Sequence, residues 1–421
     1  MRTVKFYTLG CKVNLYETEA IRNLFEKDGF ICTDSDFADI YIINTCTVTA
    51  MGDKKSRQII HRARRNNPDG IIAVIGCYAQ AFADSVRAMP EIDIIVGTTD
   101  KAKVLDYVNQ FYGKRIDGLS EKIGPKFEDI PSSAQNRTRA MLKIQDGCSN
   151  YCSYCIIPYA RGPVRSREIQ SAVAEAQALA IKGFTEIVLV GIHLGSYGTD
   201  NGMSLIDIIK QVCAVEGIKR VRLGSLDPKT ITHSFASELS TIKQMCPAFH
   251  ISMQSGCDST LKRMNRKYTS KEYLNALTVL REYYPDCAIS TDVMTGFPGE
   301  DDSEFEQTIQ TIKNAKFSNL HVFQYSPREG TPAARMEQQV DKDIKAQRSQ
   351  ILIQLGKELK KQYCQRYIGK RLSVLFETDT QGFTANYIRI FTEGEKLQGQ
   401  YRDVVIEHYT DEYCIGKVIQ N

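Results

Sequence analysis

Cys148, Cys152 and Cys155 stand in the run GCSNYCSYC, a CxxxCxxC spacing that puts three thiols into one short segment. Thiolates are soft ligands that suit zinc or iron–sulfur clusters. A closed structural zinc site takes four ligands, and no fourth is evident here; three thiolates on a 4Fe-4S cluster leave one iron open to a reactant. A second set is spread along the chain. Cys11, Cys46 and Cys77 are separated by 35 and 31 residues, and each directly follows a β-rich run: VKFYTLG, IYIINT and IIAVIG. If these runs are neighbouring parallel strands, their carboxyl ends bring the three thiols to one edge of the sheet. Separately buried structural cysteines are the alternative. The other cysteines (Cys32, Cys213, Cys246, Cys257, Cys287, Cys364 and Cys414) show no ligand spacing.

The elements that must position these thiols can be read from the chain of 421 residues, long enough for about three domains. Residues 1–112 alternate β-rich runs with helical stretches, the pattern of a parallel sheet covered by helices. Residues 113–136 turn to Gly, Pro, Lys and Ser without periodicity and read as a linker. In residues 137–366, six strand candidates recur with helices between them: RAMLKIQD, EIVLVGI, KRVRLGS, AFHISMQS, AISTDVMTG and LHVFQYS. Six βα units predict an incomplete (β/α)6 barrel, and the polar residues near the strand ends, such as Ser225, Gln254 and Asp292, are expected at its mouth. A helix is predicted over 341–367. In residues 367–421, short β-rich runs separated by Gly and acidic turns predict a small antiparallel barrel. The fold class is therefore α/β with an added β-barrel.

Composition narrows the class without naming a substrate. Lys and Arg number 54 against 50 Asp and Glu, a net charge of +4, which marks no bulk polyanion binder. Thirteen cysteines are too few for a disulfide scaffold of this length, so clustered thiols read as ligands in a reducing compartment. The longest apolar runs fit strands and are too short to span a bilayer. The expectation is a cytoplasmic protein without a membrane partner.

Taken together, these motifs resemble the radical S-adenosylmethionine (SAM) methylthiotransferases. The resemblance rests on the three amino-terminal cysteines, GCSNYCSYC with IIPYARGPVRSR behind it, HISMQSGCDSTLKRMNRKYT, TDVMTGFPGE, FQYSPREGTPAA and a carboxyl-terminal segment similar to a TRAM RNA-binding domain. The opening TLGCKVNLYETE, through Lys12, Val13, Asn14, Tyr16 and Glu17, is most similar to the branch acting on threonylcarbamoyladenosine in tRNA. Sibling branches act on isopentenyladenosine or a ribosomal-protein aspartate, and the alternative of a different class is a non-catalytic RNA-binding protein whose metal is structural. The resemblance implies two 4Fe-4S clusters: one on Cys148, Cys152 and Cys155 that binds and reductively cleaves SAM, and one on Cys11, Cys46 and Cys77 that carries the inserted sulfur. It implies tRNA, at its anticodon stem–loop, as substrate and an electron-donor protein as partner; the sulfur donor is left unnamed. No catalytic side chain beyond the clusters is implied, because the cofactor does the hard chemistry.

Other site residues follow from position and charge. Gly191, Ser225, Gln254, Asp292, Gly296 and Pro298, at the strand ends of the barrel, are the candidates for SAM contacts; a tight βα turn would equally explain the glycines of GFPGE. A helix over 52–65 places Lys54, Arg57, His61, Arg62, Arg64 and Arg65 on one face, available to phosphate or simply solvated. Arg161, Arg165 and Arg167 form a second basic group beside Tyr151, Tyr154 and Tyr159, which could stack on a splayed base. From Tyr367 to Asn421, six Lys and Arg against eight Asp and Glu give −2, so RNA contact there requires a local patch, with Lys370, Arg371 and Arg389 the candidates, and docking onto the barrel is the competing role.

Overall fold

The computed structural model describes residues 1–132, 137–393 and 396–419; the end of the expected linker (133–136) and the last two residues of the carboxyl-terminal segment lie outside the described residues. The amino-terminal unit is a six-stranded parallel sheet of β1 (Thr3–Thr8), β2 (Ile31–Cys32), β3 (Ile40–Thr45), β4 (Ile71–Gly76), β5 (Ile94–Val96) and β6 (Ile116–Gly118), in the order β2-β1-β3-β4-β5-β6. Both β3 and β4 are buried along their whole length, as strands covered on two faces must be. Successive side chains point to opposite faces. Ile40 and Ile42 therefore meet Ile21 and Phe25 of the helix Lys12–Lys27, while Tyr41 and Ile43 meet Ile60 and Ala63 of the helix Ala50–Asn66. The edge strand β6 falls inside the stretch expected as linker; three residues are too short to show periodicity.

The central unit carries β7 (Ala140–Lys143), β8 (Gln145–Asp146), β9 (Arg165–Ser166), β10 (Glu186–Val190), β11 (Arg220–Leu223), β12 (Ser225–Leu226), β13 (Ala248–Ile251), β14 (Ala288–Thr295) and β15 (Asn319–Gln324). Parallel ladders run β11-β10-β7 and β12-β13-β14-β15, and the third strand breaks at Gly224 to pass from one ladder to the other. With β8 and β9 set aside as a small antiparallel pair, this leaves the six predicted strand positions of an open barrel, with one large apolar core packed between its strands and the helices around them. The helix Lys342–Gln365 follows, close to the predicted span.

The carboxyl-terminal unit is a closed five-stranded barrel of β16 (Arg371–Phe376), β17 (Gln381–Thr384), β18 (Arg389–Phe391), β19 (Tyr401–Tyr409) and β20 (Cys414–Val418). The single run FTANYIRIFT becomes two strands because Tyr387 turns left-handed, with φ of 64°. Arginines fasten this barrel to the central unit. Arg222 donates to the carbonyls of Thr384 and Ala385, both at 2.8 Å, Arg220 donates to that of Ser373 at 2.8 Å, and Arg139 pairs with Glu377 at 2.6 Å. Among the described residues no helix is long and apolar enough to cross a membrane.

Candidate active site

Cys11, Cys46 and Cys77 follow β1, β3 and β4, which are hydrogen-bonded neighbours, so sheet order alone delivers them to one edge. Each lies close enough to the others for their charges to interact. The approach is tight: at Gly10, with φ of +100°, an added Cβ would lie 2.6 Å from both Cβ and Sγ of Cys46. Asn14, one turn into the helix that Cys11 caps, donates to the carbonyls of Leu9 at 2.7 Å and Thr45 at 2.9 Å, tying the ends of β1 and β3 together. Burial pushes the Cys46 thiol up to about 11 and raises Cys77, against which the Arg161 guanidinium acts. A bound metal reverses this, since a coordinating thiol is deprotonated outright.

The second trio sits in the loop after β8. Gly147, with φ of +71°, lets the chain pass Pro163, whose carbonyl oxygen would lie 1.8 Å from a Cβ there. The thiols of Cys148, Cys152 and Cys155 are mutual neighbours; burial raises Cys148 and pushes Cys155 up to about 12. Cys152 accepts from Arg266 at 3.3 Å, and Arg266 is itself held by Asp227 at 3.3 Å. Among the described residues no three His, Cys, Asp or Glu side chains gather tightly enough for a single metal ion. The cysteine ligands of a cubane each bind a different iron. The all-sulfur donor sets, the space kept clear by Gly10 and the guanidinium beside one sulfur of each trio fit an anionic iron–sulfur cluster.

A buried network ties the first trio to the central unit. Arg161, six residues past Cys155, donates through Nε to Cys77 Sγ at 3.2 Å and through its other nitrogens to Glu17, Asp146 and Asn14. Lys101 and Lys143 complete the charge balance on Glu17 at 2.8 and 2.7 Å. Burial opposes ionisation of Asp146, but Lys143 and Arg161 together hold its carboxyl well below the usual carboxylate range. This corrects the sequence reading of the second basic group. Arg161, Arg165 and Arg167 are 0, 2 and 1% exposed. They answer carboxylates at the domain interface and cannot reach phosphate there: Arg165 pairs with Asp146, and Arg167 with Glu175 and Asp129.

A cavity of about 880 Å³ opens where all three units meet. Cys11 and Lys12 enter it from the amino-terminal unit, Tyr387 and Arg389 from the carboxyl-terminal barrel, and Gly191, Ser225 and Asp292 from the central strands. Three of the six expected SAM contacts thus share this space. The other three do not line it. Gln254 is buried in a left-handed conformation just past β13, bridged to Val293 of β14; Gly296 allows close approach of Lys345, not of a ligand, since a Cβ would lie 2.2 Å from that side chain; and the Pro298 carbonyl accepts from Arg263 at 3.0 Å. Cys152 lines a smaller cavity with His193, Asp227 and Arg266.

On the basic helix, Lys54, Arg57 and Arg65 are exposed. Arg64 is not free as expected: it pairs with Asp93 at 2.6 Å and donates to the carbonyls of Pro68, Gly70 and Glu91. His61 bonds Glu91 at 2.8 Å. Carboxylates that this face lacks are supplied to it by the neighbouring segment, Glu91 and Asp93. Tyr154 is packed edge-on against Phe297, whereas Tyr151 and Tyr159 form an exposed edge-to-face pair. Lys370 is exposed, Arg371 pairs with Asp403, and Arg389 donates to Gln381. Sequence reasoning missed Arg266 and the roles of Asn14, Glu17 and Asp146; Asn14 and Glu17 lie in the opening motif, three and six residues beyond Cys11, one face of a helix.

An open barrel of parallel strands with a three-thiol loop after its first strand defines the class, a radical SAM enzyme. The Radical SAM superfamily matches residues 142–312, and Uncharacterized protein family UPF0004 matches residues 3–97. The threonylcarbamoyladenosine tRNA methylthiotransferase MtaB of Bacillus subtilis is 45% identical over 94% of this chain and 91% of its own length; that of Thermotoga maritima is 36% identical over 99 and 97%. A tRNA-2-methylthio-N(6)-dimethylallyladenosine synthase of Clostridium botulinum is 34% identical over 98 and 92%. Among solved structures, the radical SAM methyltransferase TsrM of Kitasatospora setae, with cobalamin and a 4Fe-4S cluster bound, shares the fold at a TM-score of 0.60 over 79% of this chain and 76% of its own, at 14% identity. The chain belongs to the radical SAM methylthiotransferase family, enzymes that use an iron–sulfur cluster and SAM.

Proposed function

We propose that this enzyme installs a methylthio group on carbon 2 of N6-threonylcarbamoyladenosine next to the anticodon of tRNA, in the cytoplasm, using two 4Fe-4S clusters. The observation that supports this most is the presence of two cysteine trios, one met by Arg161 across the domain boundary and the other by Arg266, with Cys11 opening onto a cavity that all three units line. Cys148, Cys152 and Cys155 would hold the SAM-binding cluster, and Cys11, Cys46 and Cys77 the second. When bound, the clusters and SAM supply the radical that activates an unreactive ring carbon and the sulfur and methyl that replace its hydrogen. The chain's own residues supply position. Gly191, Ser225 and Asp292 offer SAM backbone and polar contacts; Asn14 and Arg161 fix the edge that presents Cys11; and the 880 Å³ cavity is of a size that takes a small organic group. Lys54, Arg57, Arg65, Lys370, Arg371 and Arg389 are the phosphate contacts in this reading, and Tyr151 and Tyr159 the stacking pair. An electron-donor protein is the further partner required.

Nucleoside mass spectrometry of tRNA from a strain lacking this gene tests the reading. The expected result is loss of the methylthiolated threonylcarbamoyl nucleoside, with its unthiolated precursor accumulating. Persistence of that nucleoside in a strain without a second enzyme of this family overturns it, and loss of the methylthiolated dimethylallyl nucleoside instead assigns the sibling substrate.

A further inference from the structure

The cavity between the three units is lined by five lysines and arginines, and four of them are already engaged. Arg222 is held by Glu186 and two backbone carbonyls, and Arg139 by Glu377. Lys360 donates to the carbonyl of Glu412 at 2.8 Å, and Arg389 to Gln381 at 2.7 Å. Lys12 differs. Among the described residues its ammonium group makes no ion pair and no hydrogen bond, and its neighbours in the field are the Tyr387 hydroxyl, the two guanidiniums of Arg139 and Arg222 and, across the barrel mouth, His321, which Asp292 answers. Lys12 is exposed to the solvent of the cavity, and an anion entering there meets an ammonium group that no carboxylate of the chain has already paired.

Its position is fixed from both sides. Lys12 is the first residue of the helix Lys12–Lys27, directly after Cys11, and the next turn of that helix packs Val13 and Tyr16 against Met141, Val188 and Val190 of the central barrel. The stem of Lys12 is therefore anchored at the seam between the units, one residue from a thiol of the first trio.

We infer that Lys12, backed by Arg139 and Arg222, receives the carboxylate of the threonylcarbamoyl group. The inference rests on the proposed substrate and adds the group that reads it. On the adenine ring, carbon 2 and the N6 substituent flank the same ring nitrogen, so a base whose carbon 2 faces the Cys11 edge carries its N6 substituent close by. A threonylcarbamoyl group brings one negative charge to that place. A dimethylallyl group brings none and would leave the cation desolvated and unpaired, so the same lysine selects for one nucleoside and against the other. SAM also carries a carboxylate, and the test must separate the two sources.

Binding of fluorescent anticodon stem–loop RNAs to the anaerobically reconstituted full chain provides the test, with SAM binding measured in parallel by equilibrium dialysis. Three RNAs are compared: one with the threonylcarbamoyl group, one with its carboxyl methylated as the ester, and one with plain adenosine. The wild-type chain is expected to bind the free acid about tenfold more tightly than the ester, the value of one charge-assisted hydrogen bond. Lys12→Met is expected to erase that preference with iron content and SAM affinity unchanged, and Lys12→Arg to keep most of it. Retention of the tenfold preference by Lys12→Met overturns the inference, as does a Lys12→Met variant that loses SAM affinity instead, since the carboxylate held is then that of SAM. A wild-type chain that binds both modified RNAs better than plain adenosine but equally well also overturns it while leaving the proposed substrate standing. Equal binding of all three RNAs counts against the substrate reading as well.

Discussion

Cys148, Cys152 and Cys155 are held by eight consecutive residues of one loop, whereas Cys11, Cys46 and Cys77 are delivered by three strands of a sheet. The loop needs only local backbone freedom, such as the left-handed Gly147, to fold around a cluster. The strand-end trio depends on the sheet order being correct and on Asn14 tying two strand ends together. The two differ also in their counter-charge. Arg266 reaches Cys152 from within the central unit, but Arg161 reaches Cys77 across the domain boundary, so the environment of the first trio depends on how the two units dock. The sulfur-carrying role proposed for the strand-end trio would place it where the units meet, and the structure puts Cys11 on the shared cavity.

Replacing single cysteines should separate the two trios most sharply. Cys152→Ala is expected to abolish formation of 5′-deoxyadenosine from SAM, whereas Cys46→Ala is expected to retain it and yield no methylthiolated RNA; assays of both products on each variant check this. Retained RNA methylthiolation in Cys46→Ala would end the proposed division of roles. The next largest effect is expected at the buried arginine that ties the strand-end trio to the central unit. Arg161→Met leaves the buried Glu17 and Asp146 without their shared guanidinium, and loss of one partner from a buried ionic cluster costs about 3–5 kcal/mol. A lowered unfolding midpoint in denaturant checks this, and a shift too small to resolve would mean that Lys101 and Lys143 balance the carboxylates alone. Gly10→Ala is expected to act on one trio only: the added Cβ meets Cys46, so iron bound by the strand-end site falls while SAM cleavage by the loop site persists. The smallest effects belong to the exposed helix face. Lys54→Ala, Arg57→Ala and Arg65→Ala should each weaken RNA binding a fewfold and lower the slope of affinity against salt by about one, read from titrations at several ionic strengths.

The comparison also shows what a sequence can carry. The loop trio is legible from spacing alone. The strand-end trio is legible because each cysteine follows an apolar run, and order in a parallel sheet converts that repeated placement into proximity. The three arginines of YARGPVRSR were misread for a physical reason: a basic run looks like a surface patch unless its carboxylate partners are known, and Glu17 lies 144 residues from Arg161. Arg64 was misread in the same way, its partner Asp93 lying in the bend just before β5. At Gly296 the need for a missing side chain was legible but not its cause, since the close neighbour is Lys345 on a distant helix. The overall architecture was the most legible feature, because six βα repeats and a closing β-rich segment each impose their own periodicity; β6, at three residues, has none to read.

Iron and acid-labile sulfide per chain, measured on the anaerobically reconstituted full-length protein and on two triple variants, one for each trio, test the central claim most directly. Two cubanes, each held by three cysteines, predict about eight irons and eight sulfides in the wild type and about four of each in either variant. About four irons in the wild type, undiminished when Cys11, Cys46 and Cys77 are all changed to Ala, would contradict it.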